Sequence, residues 1–305
     1  MILFLNRRAY SPFLVCRDCG EQFKCPNCAV SLAFSRRDGR LRCHHCGHQK
    51  RPPEICPSCK GHRISPLGIG TEKVEEIVAE AFPDVQVARL DRDIARKKGA
   101  LEETLARFRS GEVSILVGTQ MVAKGLDFPN VTLVGVIAAD LSLNIPDFRA
   151  GERTFQLLSQ VSGRAGRGSA PGHVVIQTFN PEHFAITCAR DHDYVRFYEE
   201  TKAERGEAGY PPFKRLVNLV LSSENLQATV RASDELGVAL TQEDLTVLGP
   251  ADCAIERLQG RWRRHLLVKL PPDEDAAAVS RASEPVATAH PKLSFVLDVD
   301  PYSLL

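Results

Sequence analysis

The sequence predicts an α/β fold: a parallel sheet interrupted after its first strand by a cysteine-rich insertion, then a separate small α+β domain. Three observations carry this. Eight of the ten cysteines lie between residues 16 and 59, in four Cys-x-x-Cys pairs. From Thr71 to Thr178 helical segments alternate with short strands that are apolar on both faces, the pattern of a parallel sheet. Beyond Tyr210-Pro211-Pro212-Phe213 the order changes to strand, helix, strands, helix, strand. A length of 305 residues allows two or three domains with cores of their own, and 43% hydrophobic with 25% charged residues is ordinary for a globular chain. No run approaches the roughly 18 apolar residues that span a bilayer. Met1-Ile2-Leu3-Phe4-Leu5 meets Asn6-Arg7-Arg8 too soon for a signal-peptide core, so a cytoplasmic protein is expected.

Ile2 to Leu5 reads as the first strand of the sheet, which makes the cysteine-rich stretch an insertion into it. Thr71 is a good N-cap for a helix whose Val74, Ile77, Val78 and Ala81 keep three-to-four spacing until Pro83. A strand at Val85 to Leu90, a helix at Leu101 to Phe108 and a strand at Ser114 to Val117 follow. Val131 to Ala138 is the next strand, then a helix from Ala150 to Ser162 and a strand at Val174 to Thr178. The charged stretch Thr201 to Ala208 leads to the stiff proline boundary. After it come a strand at Leu216 to Leu221, a helix at Leu226 to Leu240, and strands near Val247 and at Leu266 to Leu270. A helix across Ala276 to Ala289 and a strand at Ser294 to Val299 complete the pattern. The expected units are residues 1–15 (start of the sheet), 16–62 (insertion), 63–207 (remainder of the sheet domain) and 208–305 (last domain).

The cysteine pairs are Cys16/Cys19, Cys25/Cys28, Cys43/Cys46 and Cys56/Cys59. A Cys-x-x-Cys turn aims two sulfurs at one tetrahedral ion, so four turns supply two complete zinc sites. Disulfides would require an oxidising compartment, and a redox motif would be a single pair beside a βαβ unit. Gly20, Gly47 and Gly61 follow their pairs closely, as tight turns require. A hairpin from Val30 to Leu41, turning at Arg37-Asp38-Gly39-Arg40, brings pairs two and three together. Cys25, Cys28, Cys43 and Cys46 then share one Zn²⁺, and Cys16, Cys19, Cys56 and Cys59 share the other; consecutive pairing is the alternative. Sites closed by four thiolates leave no position for water, so they are structural. His44, His45, His48 and His62 are then expected at the surface, and Cys188 and Cys253 as buried packing residues.

Net charge is +1, so any surface for nucleic acid must be local. Residues 1–63 hold twelve Lys/Arg against four Asp/Glu and stay at a formal +4 once eight thiolates and two Zn²⁺ are included. Arg36 and Arg37 on the hairpin are candidate DNA contacts. Arg261, Trp262 and Arg263 are a second candidate, with Arg257 and Arg264 nearby, since guanidinium and indole both stack on bases. A solvated strand edge with one packed tryptophan is the plain alternative.

Two segments resist a purely structural account. GTQMVAKGLDFP (118–129) follows a strand, at the end where ligands of α/β sheets sit. QVSGRAGRG (160–168) closes the next helix, and its paired arginines can reach a triphosphate and neutralise developing charge. These segments resemble motifs V and VI in the second RecA-like lobe of superfamily 2 helicases, and the eight-cysteine insertion narrows the resemblance to the PriA family, primosomal protein N′. NRRAY, GIGTEKVEE, FPNVTLVGVIAADLSLNIPDFRAGERTFQLLSQ, GHVVIQTFNPEH, YPPF and LDVDP extend it from end to end.

The resemblance implies a 3′–5′ DNA helicase, driven by ATP hydrolysis, for primosome assembly and restart of stalled forks. Its implied partners are forked or single-stranded DNA, single-strand-binding protein and other primosome proteins, with the chain a monomer. It puts Arg164 and Arg167 at arginine-finger positions, Gln160 in the same motif, and Gly125 and Asp127 facing nucleotide and DNA. Leu126 stands where the family usually has histidine, and Asp273-Glu274-Asp275 where relatives carry basic residues. The sequence holds no GxxxxGK[ST] and no DEAH-type box. It therefore reads as the C-terminal part of such a helicase, inactive alone and needing ATP and Mg²⁺ held by a first lobe. The alternative is a non-catalytic zinc adaptor that binds DNA and primosome proteins.

Overall fold

The computed structural model describes the chain apart from residues 6–12, 28–29, 36–37, 45, 68–70, 96–98, 120–127, 129, 164–170 and 305, with backbone only for 67, 92 and 93. Its central layer is a five-stranded sheet of β1 (Ile2–Leu5), β7 (Val87–Leu90), β8 (Ile115–Gly118), β9 (Leu133–Ile137) and β10 (His173–Ile176), in the order β10-β9-β1-β8-β7. Every pairing in it is parallel. β1 lies at the centre, where both faces are covered, which is why Ile2, Phe4 and Leu5 are all buried. The chain leaves the end of this central strand for the cysteine-rich module and returns through α1 (Thr71–Ala81).

Helices α2 (Arg92–Ala95), α3 (Ala100–Ser110), α4 (Asp140–Leu143) and α5 (Ala150–Ser162) continue the sheet domain. α5 has the limits its apolar spacing predicts, burying Phe155, Leu157, Leu158 and Val161. Thr71 is not a cap: it is the first helical residue, and its buried hydroxyl donates to Asp91 at 2.9 Å. Only Val74 of the predicted apolar stripe is fully buried, while Ile77 stays 46% exposed beside the sheet face that carries Val175.

The charged stretch before the prolines is helical. α6 (Phe184–Asp191) is followed by α7 (Tyr194–Ala208), in which Phe197 alone is buried and stacks on Phe155 at 4.1 Å. With so little apolar surface, α7 has weak periodicity and is held by its cap, Asp193, and by spaced ion pairs such as Arg196–Glu200.

His183 caps α6 by accepting from the Ala185 N–H at 3.1 Å, which requires an unprotonated ring nitrogen. Burial, with the Lys24 ammonium adding to it, pushes His183 down to about 4. The folded state therefore binds this proton less well than the unfolded state. Its stabilising contribution is full above pH ~6.5 and is lost as pH falls from there towards 4. Between pH 7 and 5 wild type should lose about 2 kcal/mol more than His183→Gln, which retains an acceptor. Urea midpoints of both proteins at the two pH values measure this; equal losses would contradict the assignment.

The last domain is a four-stranded antiparallel sheet, β11 (Arg215–Ser223), β12 (Thr246–Leu258), β13 (Arg261–Leu270) and β14 (Ser294–Val299), ordered β12-β13-β11-β14. Helices α8 (Leu226–Gln242) and α9 (Ala277–Ala289) join Val217, Leu219, Leu221, Leu266 and Val268 in one core. Segments separated in sequence meet where this domain joins the first. Phe148 stacks on Tyr210 at 4.6 Å, Arg149 donates to the Pro301 carbonyl at 2.8 Å and Arg153 to that of Tyr302 at 3.1 Å. Both arginines also pair with Asp147, whose side chain is wholly buried. Among the described residues no helix is long and apolar enough to cross a membrane.

Candidate metal centres and nucleotide-facing segments

The cysteine module is built from one repeated turn. In each of the four pairs the first cysteine's N–H donates to the carbonyl five residues on: Cys16 to Glu21 at 3.0 Å, and Cys25 to Val30, Cys43 to His48 and Cys56 to Gly61 at 2.8 Å. Among the described residues, three turns carry a second bond, from the residue after the pair to the first cysteine's carbonyl: Gly20 at 2.9 Å, and Gly47 and Lys60 at 3.0 Å. That residue is left-handed, with φ of 81°, 75° and 63° respectively. The glycine predicted for the fourth turn, Gly61, is thus not the strained position; Lys60 is. Strand β2 (Phe13–Cys16) pairs antiparallel with β6 (Ile64–Leu67), bringing the first and fourth turns together. Strands β3 (Ala33–Ser35), β4 (Arg40–Arg42) and β5 (Gln49–Lys50) form the hairpin and its extension, bringing the third turn to the second.

The sulfurs assemble as the nested arrangement requires. Cys16, Cys19, Cys56 and Cys59 form one cluster, and Cys25, Cys43 and Cys46 the other, each with ligand atoms within 4.8 Å of one another. Cys28, the expected fourth ligand, lies outside the described residues. Consecutive pairing is excluded by this geometry. Sulfurs of Cys16 and Cys59, Cys19 and Cys56, and Cys25 and Cys46 are each 3.6 Å apart. A disulfide would hold them near 2.05 Å. A tetrahedron with Zn–S bonds of about 2.3 Å has edges of about 3.8 Å.

Protonation points the same way. Burial works against the Cys56 thiolate, but backbone N–H groups of Cys59 and Ser58 bring that thiol down to about 7. The Glu21 N–H favours the Cys19 thiolate, yet neighbouring sulfurs push Cys19 up to about 12. Four thiolates at this spacing repel one another, and a dication is what lets them coexist. The donor sets fit two structural Zn²⁺, which would supply rigidity and no reaction step. Outer bonds orient the sulfurs: Gly61 N–H to Cys59 at 3.4 Å and Asn27 to Cys46 at 3.8 Å.

Each cluster faces a different neighbour. Beside the first, Arg17 lies 5.1 Å from the Phe179 ring centre, and a Cβ on Gly20 would fall 1.7 Å from the Phe179 carbonyl oxygen. Gln22 approaches Asp140 at 3.5 Å, and Asp140, fully buried, also accepts from Thr178 and Phe179 at 3.0 Å. Beside the second, His44 is buried rather than at the surface, because its ring donates to the Asp252 carbonyl at 2.9 Å within the last domain. His62 is exposed and His48 half-buried; His45 lies outside the described residues. Cys188 and Cys253 are buried.

Of the residues expected to face nucleotide or DNA, Gln160 is exposed in the last turn of α5. Gly125, Asp127, Arg164, Arg167, Arg36 and Arg37 lie outside the described residues. β8 ends at Gly118, the first residue of one motif, and α5 ends two residues into the other's flank at Ser162. In the β12–β13 hairpin, Arg257 lies 5.2 Å from the Trp262 ring centre and Arg261 donates to the Ser222 carbonyl at 2.7 Å. Arg264 is turned inward to Asp252 and Asp234, both at 3.5 Å, so it is structural. Arg263 and Trp262 are half-buried. The sequence carried no sign of the buried acids Asp140 and Asp147, beyond their place in the segment that resembles the family.

Three family models match the chain in order: the PriA DNA helicase Cys-rich region (CRR) domain over 25–51, the helicase conserved C-terminal domain over 60–169 and the primosomal protein N C-terminal domain over 206–302. The replication restart protein PriA of Bacillus subtilis (strain 168) is 42% identical over 312 residues, covering 100% of this chain and 38% of that protein. That of Synechocystis sp. is 42% identical over 311 residues, covering 99% and 37%. That of Treponema pallidum is 40% identical over 307 residues, covering 100% and 47%. The chain spans less than half the length of these relatives. Matched along its whole length, with its cysteine clusters and both domains in the family's order, the chain belongs to the PriA family and corresponds to its C-terminal portion.

Proposed function

We propose that the chain supplies the second motor lobe, the zinc scaffold and the C-terminal domain of an ATP-driven 3′–5′ DNA helicase acting in primosome assembly and replication restart. The observation that carries this reading is the match of the whole chain at 42% identity with a replication restart protein. Arg164 and Arg167 act on a nucleotide whose phosphates and Mg²⁺ are held by a first lobe, and Gly125, Asp127 and Gln160 line the nucleotide and DNA side. The two zinc sites hold a basic surface for forked DNA. Single-strand-binding protein and other primosome proteins are the protein partners in this reading.

A second reading, a zinc adaptor that binds DNA and partners without catalysis, rests on the cysteine clusters, whose thiolate donor sets suit structural metal. ATP hydrolysis in the presence of a first lobe separates the two. Both require DNA binding, which is the test of their common part. The chain should bind forked DNA at 50 mM salt, and replacing Arg36 and Arg37 by alanine should reduce the salt slope by about 1 to 2. No binding at that salt would overturn both.

A further inference from the structure

The second cysteine cluster makes contacts that its role as a local scaffold does not require. Its turn Cys43–Cys46 is seated in the last domain, some two hundred residues away in sequence. The His44 ring, 5% exposed, donates to the Asp252 carbonyl at 2.9 Å. The His44 carbonyl bonds the Nε2 of His265, which is 1% exposed and whose Nδ1 meets the Asn218 side chain at 3.0 Å. Arg42, one residue before the turn, pairs with Asp252 at 3.0 Å, and Asp252 also pairs with Arg264 at 3.5 Å. A Cβ on Gly47 would stand 3.1 Å from the Pro250 carbonyl oxygen, and Leu248 packs on the module's apolar core. The contacts come from both sides of the turn and from its backbone, so they fit only the folded turn.

We propose that the second zinc site clasps the C-terminal domain: metal in the Cys25/Cys28/Cys43/Cys46 site and seating of β12–β13 on the Cys43–Cys46 turn are thermodynamically coupled, while the first site is coupled to the sheet domain through Gly20, Arg17 and Phe179. The physical reason is that a bound ion fixes the carbonyl and ring of His44 in the directions their sockets need. A turn released by loss of the ion must give up the buried bonds to Asp252 and His265. Coupling is reciprocal, so the sockets in turn help the site keep its metal. His265 and Asp252 are thus positioning residues for a zinc site whose ligands lie in another domain.

Chelator challenge of the full chain tests this, with zinc release followed by a colorimetric indicator and the opened site identified by cysteine alkylation and peptide mapping. In His265→Ala, release of one zinc should accelerate about tenfold, the loss expected for one buried hydrogen bond. Alkylation should fall first on Cys25, Cys28, Cys43 and Cys46, and Cys16, Cys19, Cys56 and Cys59 should keep wild-type rates. His265→Gln, which retains a donor for the His44 carbonyl, should restore slow release. Asp252→Asn keeps the backbone carbonyl that the His44 ring uses and weakens only the pairs with Arg42 and Arg264, so it should act in the same direction more weakly. Unchanged release in both His265→Ala and Asp252→Asn, or equal acceleration at both clusters, would overturn the clasp.

Discussion

Arg167→Ala should lower DNA-stimulated ATP hydrolysis by about a thousandfold or more when the chain is assayed with a first helicase lobe, since arginine fingers contribute 10³ to 10⁵ in turnover. The helix that leads to it is well anchored: Leu157, Leu158 and Val161 are buried in the sheet domain's core, so the segment after Ser162 starts from a fixed place. In the sequence Gly163, Gly166 and Gly168 flank the two arginines. Lysine at 167 should restore little, because its point charge cannot present two parallel donors to phosphate oxygens. Unchanged zinc content and fork binding would show that the variant is folded. Turnover equal to wild type would remove the arginine-finger role from Arg167.

Cys56→Ser carries the other large expected effect. Structural zinc contributes about 10 to 16 kcal/mol to small zinc-dependent folds, and a site that loses one of four thiolates loses most of that. Cys56 is wholly buried, and its turn is held to the first turn by the β2–β6 pairing. The variant should lose one zinc per chain, and amide protection should collapse across β2, β6 and both turns. The central sheet should persist, because Ile2, Phe4, Leu116 and Val134 form a core of their own. Two zincs retained, with protection unchanged, would contradict the assignment of Cys56 as a ligand.

Periodicity and spacing made the backbone plan legible. Both β1 and β14 have the limits that their apolar patterns predict, and α5 does too. The nested cysteine pairing followed from the hairpin, although spacing alone left consecutive pairing open. What was not legible depends on contacts between distant segments. His44 looks like a surface residue because its socket is formed by Asp252 and His265. The β12–β13 hairpin runs far beyond the two short apolar strands expected, because its outer half carries few apolar pairs: Asp252 faces Arg264, Arg257 faces Trp262 and Leu258 faces Arg261. Asp140 and Asp147 are acids inside a domain junction, and only the folded chain shows the N–H and guanidinium groups that hold them there.

Metal content reads out the two thiolate scaffolds directly. Elemental analysis of the purified full chain should give two Zn per chain, with both lost on prolonged chelation together with the fold of the cysteine module. One zinc per chain, or iron in its place, would contradict the two closed thiolate sites on which the account rests.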